Sequence, residues 1–282
     1  MLLRERIAVD ISTMLAMLGQ GFVVTLQIFF LTLLGSLPLG VLVALGRMSR
    51  VKPLAWLIRL YISVMRGTPL MLQMFFIYFA PYYLFGMDLS TDSKFNATIV
   101  AFIINYAAYF AEIYRSGIQS IPRGQYEAAE VLGYSRVQTF MKIVLPQVIK
   151  RILPAMGNEI ITLVKDTSLA FAIGVAEMFS TAKALVASQV SMLPFVFAAV
   201  FYWVFNFIVE VVLNRIEKKL DYYHDKKLRR SANGATARCR ATIRTASCPA
   251  KLGAPARAQQ LEIGMPFRNV QDRAHIEAGK GM

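Results

Sequence analysis

The chain has 282 residues, of which 56% are hydrophobic and only 17% charged, with a mean hydropathy of +0.48. That exceeds the apolar share of an ordinary globular domain and excludes one; the chain belongs in a bilayer. The net charge of +14 would suit nucleic acid in a soluble protein, but in a membrane chain the distribution of basic residues matters more than their sum.

The opening residues "MLLRERIAVD" mix acidic and basic side chains, and no small-residue cleavage site follows a short apolar core. No removable signal peptide is expected. Charge-free runs follow from Ile11 to Gly46, Gly67 to Met87, Phe95 to Ala111 and Ala184 to Val209, each near or above the ~20 residues of a spanning helix. The predicted spans are roughly Gly21 to Leu45, from after Lys52-Pro53 to about Phe79 (before Pro81), Phe95 to Gly117, Val148 to Ala172 and Leu193 to Leu213. On the second span Arg59 and Arg66 are seven residues apart and share a face, which should turn away from lipid. Basic residues cluster on alternate connections: Arg47, Arg50 and Lys52; then Arg115 to Arg151; then Arg215 to Arg230. By the positive-inside rule the N-terminus is outside and the C-terminus cytoplasmic.

The connection "EAAEVLGYSRVQTFMKIVLP", Glu127 to Pro146, lies on the cytoplasmic side. Gln125 to Leu132 are mostly helix formers, and Gly133 stands where a left-handed helix stop is needed. Ser135 and Gln138 fit a capping box opening a second helix. That helix should end by Val144 or Leu145, because Pro146 disfavours helical geometry in the residue before it. Ala128 and Ala129 let another backbone approach, Val131, Leu132, Val137 and Phe140 offer apolar surface, and Glu127 can orient a contact. A solvated amphipathic connector would show the same physics.

Ionisable residues inside a membrane are costly and usually face a bundle interior or an aqueous cavity. Here they are Arg66, Glu112, Arg115, Glu159, Lys165 and Asp166, and both signs suit a zwitterion. In the fourth span Pro154 removes a backbone hydrogen bond, while Asn158, Glu159, Thr162, Lys165, Asp166, Thr167 and Ser168 concentrate polar groups. If the helix loosens there, freed backbone groups can hold an amino acid. Glu159, Thr162 and Asp166 share a helical face. Structural roles compete: Lys165 and Asp166 can pair with other charges, Arg66 can bind carbonyls, and Glu112 with Arg115 can form an ion pair or gate. Asn105, Tyr106 and Tyr109 are weaker candidates, since such residues also pack helices.

From Ser231 the chain is rich in Ala, Arg, Ser, Gly and Pro and is expected to be disordered. Cys239 and Cys248 lie there without the His or Cys partners a metal site needs, so no metal is expected. No phosphate loop, HExxH or Gly-x-Ser-x-Gly pattern occurs, and no catalytic residue is assigned.

The spacing Glu127-Ala128-Ala129, Gly133, Ile143, Leu145-Pro146 resembles the EAA loop of binding-protein-dependent ABC import permeases. "RGTPLMLQMFFIYF" (Arg66 to Phe79), "AYFAEIYRSGIQSIPRGQYEAA" (Ala108 to Ala129) and "LPAMGNEIITLVKDTSL" (Leu153 to Leu169) resemble its polar amino acid uptake branch. The resemblance spans about Gly19 to Lys219. It implies an all-α type I importer transmembrane domain with five spans and a cytoplasmic coupling helix. It divides the chain into an extracytoplasmic tail (1–18), the permease domain (19–219, EAA loop 125–146) and a cytoplasmic tail (220–282). It implies a multi-pass inner-membrane permease carrying a polar amino acid such as glutamine, glutamate, arginine, histidine or cystine. Glu127, Ala128, Ala129, Gly133, Ile143, Leu145 and Pro146 would dock the ATPase. Arg66, Thr68, Glu112, Asn158, Glu159, Thr162, Lys165 and Asp166 are the pathway candidates. Implied partners are a cytoplasmic ATPase dimer, which would hold ATP and Mg, a second permease subunit, an extracytoplasmic binding protein and lipid; no cofactor is bound directly. An ATP-independent channel or ion-coupled transporter, or a membrane scaffold, remain as alternatives.

Overall fold

The computed structural model describes residues 11–86 and 91–220. The expectations for residues 1–10 and for the tail, with its two cysteines, fall outside them. All regular structure among the described residues is helical: α1 (Ile11–Arg47), α2 (Lys52–Gly67), α3 (Leu70–Phe85), α4 (Thr91–Gln119), α5 (Arg123–Val131), α6 (Arg136–Gln138), α7 (Leu145–Asp166), α8 (Met178–Gln189) and α9 (Leu193–Leu220). A π-helical turn, Thr139–Val144, joins α6 to α7, and a 3-10 segment, Thr167–Ile173, follows α7.

Among the described residues three helices are long and apolar enough to cross a membrane, α1, α4 from Ser93, and α9; the number rises to as many as five if each of two bent pairs forms one span. α1 begins at Ile11, so residues 11–18, assigned to the tail, form its first turns, with Met14 and Leu18 buried against Met178, Ala182, Leu185 and Ala198.

Four helical expectations need correction. The second span is not continuous: α2 and α3 meet at 111°. Pro69 forces this, because Thr68 before it is driven to extended geometry (φ −120°, ψ 147°) and the proline has no N–H to return to Met65. α3 nonetheless runs on through Pro81 to Phe85 before Gly86 caps it at φ 64°, so the proline forfeits only its own bond to the Ile77 carbonyl without ending the helix. Nor does the second loop helix stop before Pro146. The π turn, whose Leu145 N–H donates to Phe140 O five residues back, widens the backbone there and accommodates the ring within the first two positions of α7. Finally, α7 passes unbroken through Pro154; loosening comes later, where α7 gives way to 3-10 geometry at Thr167 and then bends by 57° toward α8.

α4 is the axis of the fold. Its Phe102, Tyr106 and Phe110 are buried among Ile28 and Phe29 of α1, Met74 of α3, Leu163 and Val164 of α7, and Phe205 of α9. α1 meets it through small side chains: Thr32, Ser36, Gly40 and Ala44 are all buried, and such a stripe lets helices approach closely where no hydrophobic drive separates lipid from protein. Phe205 sits edge-on to Phe22 and Phe29 at centroid distances of 5.6 and 5.2 Å. At Gly21 a Cβ would stand 2.9 Å from Met178 Cα and 2.8 Å from Thr181 Oγ1, so the start of α8 can rest directly on the α1 backbone. Thr25 Oγ1 there accepts the Met178 N–H at 3.3 Å.

Candidate solute site and coupling surface

The cytoplasmic connection folds as its spacing demands. Gly133 takes φ 75°, the Tyr134 N–H reaches Ala129 O at 3.0 Å and the Gly133 N–H reaches Glu130 O at 2.9 Å, the paired bonds of a Schellman stop. Ser135 Oγ accepts the Gln138 N–H, and the Gln138 side chain accepts the Ser135 N–H at 3.0 Å, completing the capping box. Glu127, Ala128, Gly133 and Pro146 are exposed, whereas Ile143 and Leu145 are half-buried. Ala129 is turned inward, 1% exposed, so of the two alanines only Ala128 offers a bare surface. Val131, Leu132, Val137 and Met141 stand out, Val131 at 88% exposure. Beneath them Val144 packs with Ile121, Val148 and Ile152, tying the loop to α4 and α7. A cleft of about 400 Å³ opens among Tyr126, Glu130, Tyr134, Arg136, Thr139 and Phe140.

The predicted ionisable residues separate into groups, with Arg66 and Lys165 exposed and Glu159 and Asp166 half-buried. The buried Tyr106 of α4 donates to Asp166 Oδ2 at 2.7 Å. One turn along α4, Tyr109 carries the Arg66 guanidinium over its ring at 5.3 Å, within the range of a cation–π contact. Glu159, two turns before Asp166 and so on the same face of α7, is half-buried. One guanidinium from α2 and two carboxylates from α7 thus lie near two tyrosines of α4.

The other candidates lie elsewhere. Thr162 turns its hydroxyl back to Asn158 O at 2.9 Å. Asn158 borders a separate cleft of about 110 Å³ with Glu210, Asn214 and Glu217 of α9. Lys165, adjacent to Asp166 and therefore about 100° around the helix, lines a cleft of about 520 Å³ with Ser168, Phe179, Tyr202, Trp203 and Asn206. Thr68 sits in the α2–α3 break, donating to Val64 O at 2.8 Å. Glu112 forms an ion pair with Arg115 and a second contact with Arg47 at 3.8 Å, so of its two readings the ion pair is present. The Arg47 contribution had no signal in sequence, because it crosses from α1.

Sequence reasoning also missed Gln73 and Glu177. Gln73 reads as one polar residue in an apolar run. Glu177 follows the Gly174 stop and opens α8, a position where a capping carboxylate was inferable. It is fully buried and accepts the Phe179 and Ser180 N–H groups, both at 2.6 Å, and the Tyr202 hydroxyl at 3.2 Å.

Residues 36–222 match the profile of the binding-protein-dependent transport system inner membrane component. The chain belongs to that family. It is 37% identical over 208 residues to the L-cystine transport system permease protein TcyB of Bacillus subtilis, covering 73% of this chain and 87% of that one. It is 37% identical over 209 residues to the glutamine transport system permease protein GlnP of Escherichia coli, covering 72% and 93%. A crystal structure of an amino acid ABC transporter with histidines superposes with a TM-score of 0.68 at 33% identity, over 74% of this chain and 97% of that one. Inward-facing MetNI methionine ABC transporter structures share the fold, with a TM-score of 0.57 at 18% identity over 73% and 95%. As a family member the chain is an all-helical, multi-pass permease subunit of the type I importer fold, and such subunits are not themselves enzymes.

Proposed function

We propose that this chain is the permease subunit of an ATP-driven importer for a polar amino acid, in the range of glutamine, glutamate, arginine, histidine and cystine. The observation that carries the reading is the gathering of Arg66, Glu159 and Asp166 around Tyr106 and Tyr109, inside a chain whose relatives are named as cystine and glutamine permeases. A guanidinium and two carboxylates carry the charges that would pair with the carboxylate and the ammonium of a zwitterion.

Each bent pair forms one span, giving five, with the N-terminus outside and the C-terminus in the cytoplasm. The permease domain runs from the start of α1 at Ile11 to residue 219, and the loop 125–146 docks a separate cytoplasmic ATPase, which holds the ATP and Mg. Exposed Glu127, Ala128, Val131, Leu132 and Val137 form the docking face. A second permease subunit completes the pathway, and an extracytoplasmic binding protein delivers the solute. ATP binding draws the two docked loops together and opens the spans outward; hydrolysis lets them reopen inward.

The test is ATPase activity of the permease reconstituted in lipid with its ATPase and binding protein, with each amino acid added in turn. Stimulation by one amino acid, abolished by Glu127→Lys at normal membrane levels, is the expected result. Uptake that proceeds without the ATPase would overturn the reading in favour of a channel or an ion-coupled transporter.

A further inference from the structure

The break between α2 and α3 orphans a backbone carbonyl that two buried amides satisfy. In an uninterrupted helix the Met65 carbonyl would accept from residue 69, but that residue is proline. Asn105 Nδ2 of α4 takes this carbonyl at 3.1 Å and Gln73 Nε2 of α3 takes it at 3.0 Å. Gln73 Nε2 also lies 3.2 Å from Thr68 O and 2.7 Å from Thr68 Oγ1, and its Oε1 accepts from Asn105 Nδ2 at 2.9 Å. Both amides are buried, at 8% and 4% exposure. The Tyr61 hydroxyl adds a bond from α2 to the carbonyl of Ile104, the residue before Asn105.

The gripped carbonyl belongs to the residue immediately before Arg66. Asn105 is one turn from Tyr109, whose ring receives the Arg66 guanidinium, so grip and landing point share one face of α4. We propose that Gln73 and Asn105 are positioning residues for Arg66: their amide pair stands in for the helix bond that Pro69 abolishes and sets where the guanidinium stands over Tyr109. The inference rests on the reading of Arg66 as part of the solute site. The interlocked amides hold one geometry, whereas an apolar substitute at either position takes away one of the two donors to the Met65 carbonyl and leaves the surviving amide without its partner, loosening the end of α2.

The test uses the full-length permease with its ATPase and binding protein in proteoliposomes, with Cys239 and Cys248 changed to serine. A cysteine is placed by Arg66→Cys, or by Arg59→Cys as a control on exposed α2 surface, and its labelling rate by a water-soluble maleimide is measured. Asn105→Leu and Gln73→Leu should each change labelling at position 66 at least fivefold and at position 59 less than twofold. An unchanged rate at 66, or equal changes at both positions, overturns the proposal.

Uptake of radiolabelled L-glutamine, L-arginine and L-cystine supplies the functional arm. Asn105→Leu should lower uptake about tenfold in the parent chain and by less than twofold beyond what Arg66→Gln already removes; equal losses in both backgrounds would mark a merely structural role and overturn it. If Arg66→Gln alone leaves uptake of all three unchanged, the solute-site reading falls and the positioning role falls with it, while the labelling result still reports whether the clamp exists.

Discussion

Tyr106 of α4 holds Asp166 of α7 through a 2.7 Å hydrogen bond at a point where the tyrosine is only 2% exposed. Asp166 is the last residue of α7, and the 3-10 segment begins at the next position. The bond therefore fixes both a carboxylate of the candidate site and the place where the helix changes character.

Tyr106→Phe removes the donor and leaves the packing intact. Hydrogen bonds to charged groups contribute about 1.5–3 kcal/mol, so solute-stimulated ATPase should need roughly tenfold more amino acid, with membrane levels unchanged. Titration of the stimulation in proteoliposomes checks this, and an unchanged half-maximal concentration would count against Asp166 as a site residue.

Gly133 occupies left-handed space, and a Cβ added there would meet nothing within 4 Å, so Gly133→Ala carries a conformational cost alone, about 1–2 kcal/mol. Ser135→Ala removes the neighbouring cap at a cost of about 1 kcal/mol. Both act on a loop outside the bundle core, so membrane levels should hold while solute-stimulated ATPase falls. Comparing immunoblots with ATPase rates separates the two effects.

Gly21→Ala drives a methyl against Met178 Cα and Thr181 Oγ1, at 2.9 and 2.8 Å. The Met178 backbone cannot rotate aside, so α8 must shift, a strain of about 1–3 kcal/mol. The melting temperature in detergent should drop, whereas Gly19→Ala, with open space around it, should leave the melting temperature nearly unchanged.

Glu177→Gln keeps the side-chain shape but replaces one acceptor oxygen with an amide donor facing backbone N–H groups. Since Phe179, Ser180 and Tyr202 all donate to this carboxylate, the variant should lose about 1–3 kcal/mol, and Glu177→Ala more. Thermal unfolding of the purified chain measures the order. A variant as stable as the parent would show that the cap does not hold α8.

The local signals in the sequence were sufficient wherever the physics is local. Charge-free runs marked α1, α4 and α9 because crossing a bilayer imposes length and apolarity on contiguous residues. Gly133, Ser135 and Gln138 specified the loop turn because their bonds close within a few residues. The family was legible for the same reason, in the fixed spacing from Glu127 to Pro146. Pro69 also carried its message locally, but the run of apolar residues around it masked a break of 111°.

Only the tertiary structure decided which polar residues meet. Glu159, Lys165 and Asp166 look equivalent along the chain, yet the angular step of the helix sends Lys165 toward α9 and Asp166 toward Tyr106. Arg47 reaches Glu112 from α1, and Asn105 finds the carbonyl that Pro69 orphaned 40 residues earlier. Such pairings depend on how α1, α2 and α7 pack around α4, a global outcome of small and large side chains interlocking. The sequence determined the kind of protein and its helices; packing determined the site, because a charge near a chain neighbour is a local fact and a charge near a partner across the bundle is not.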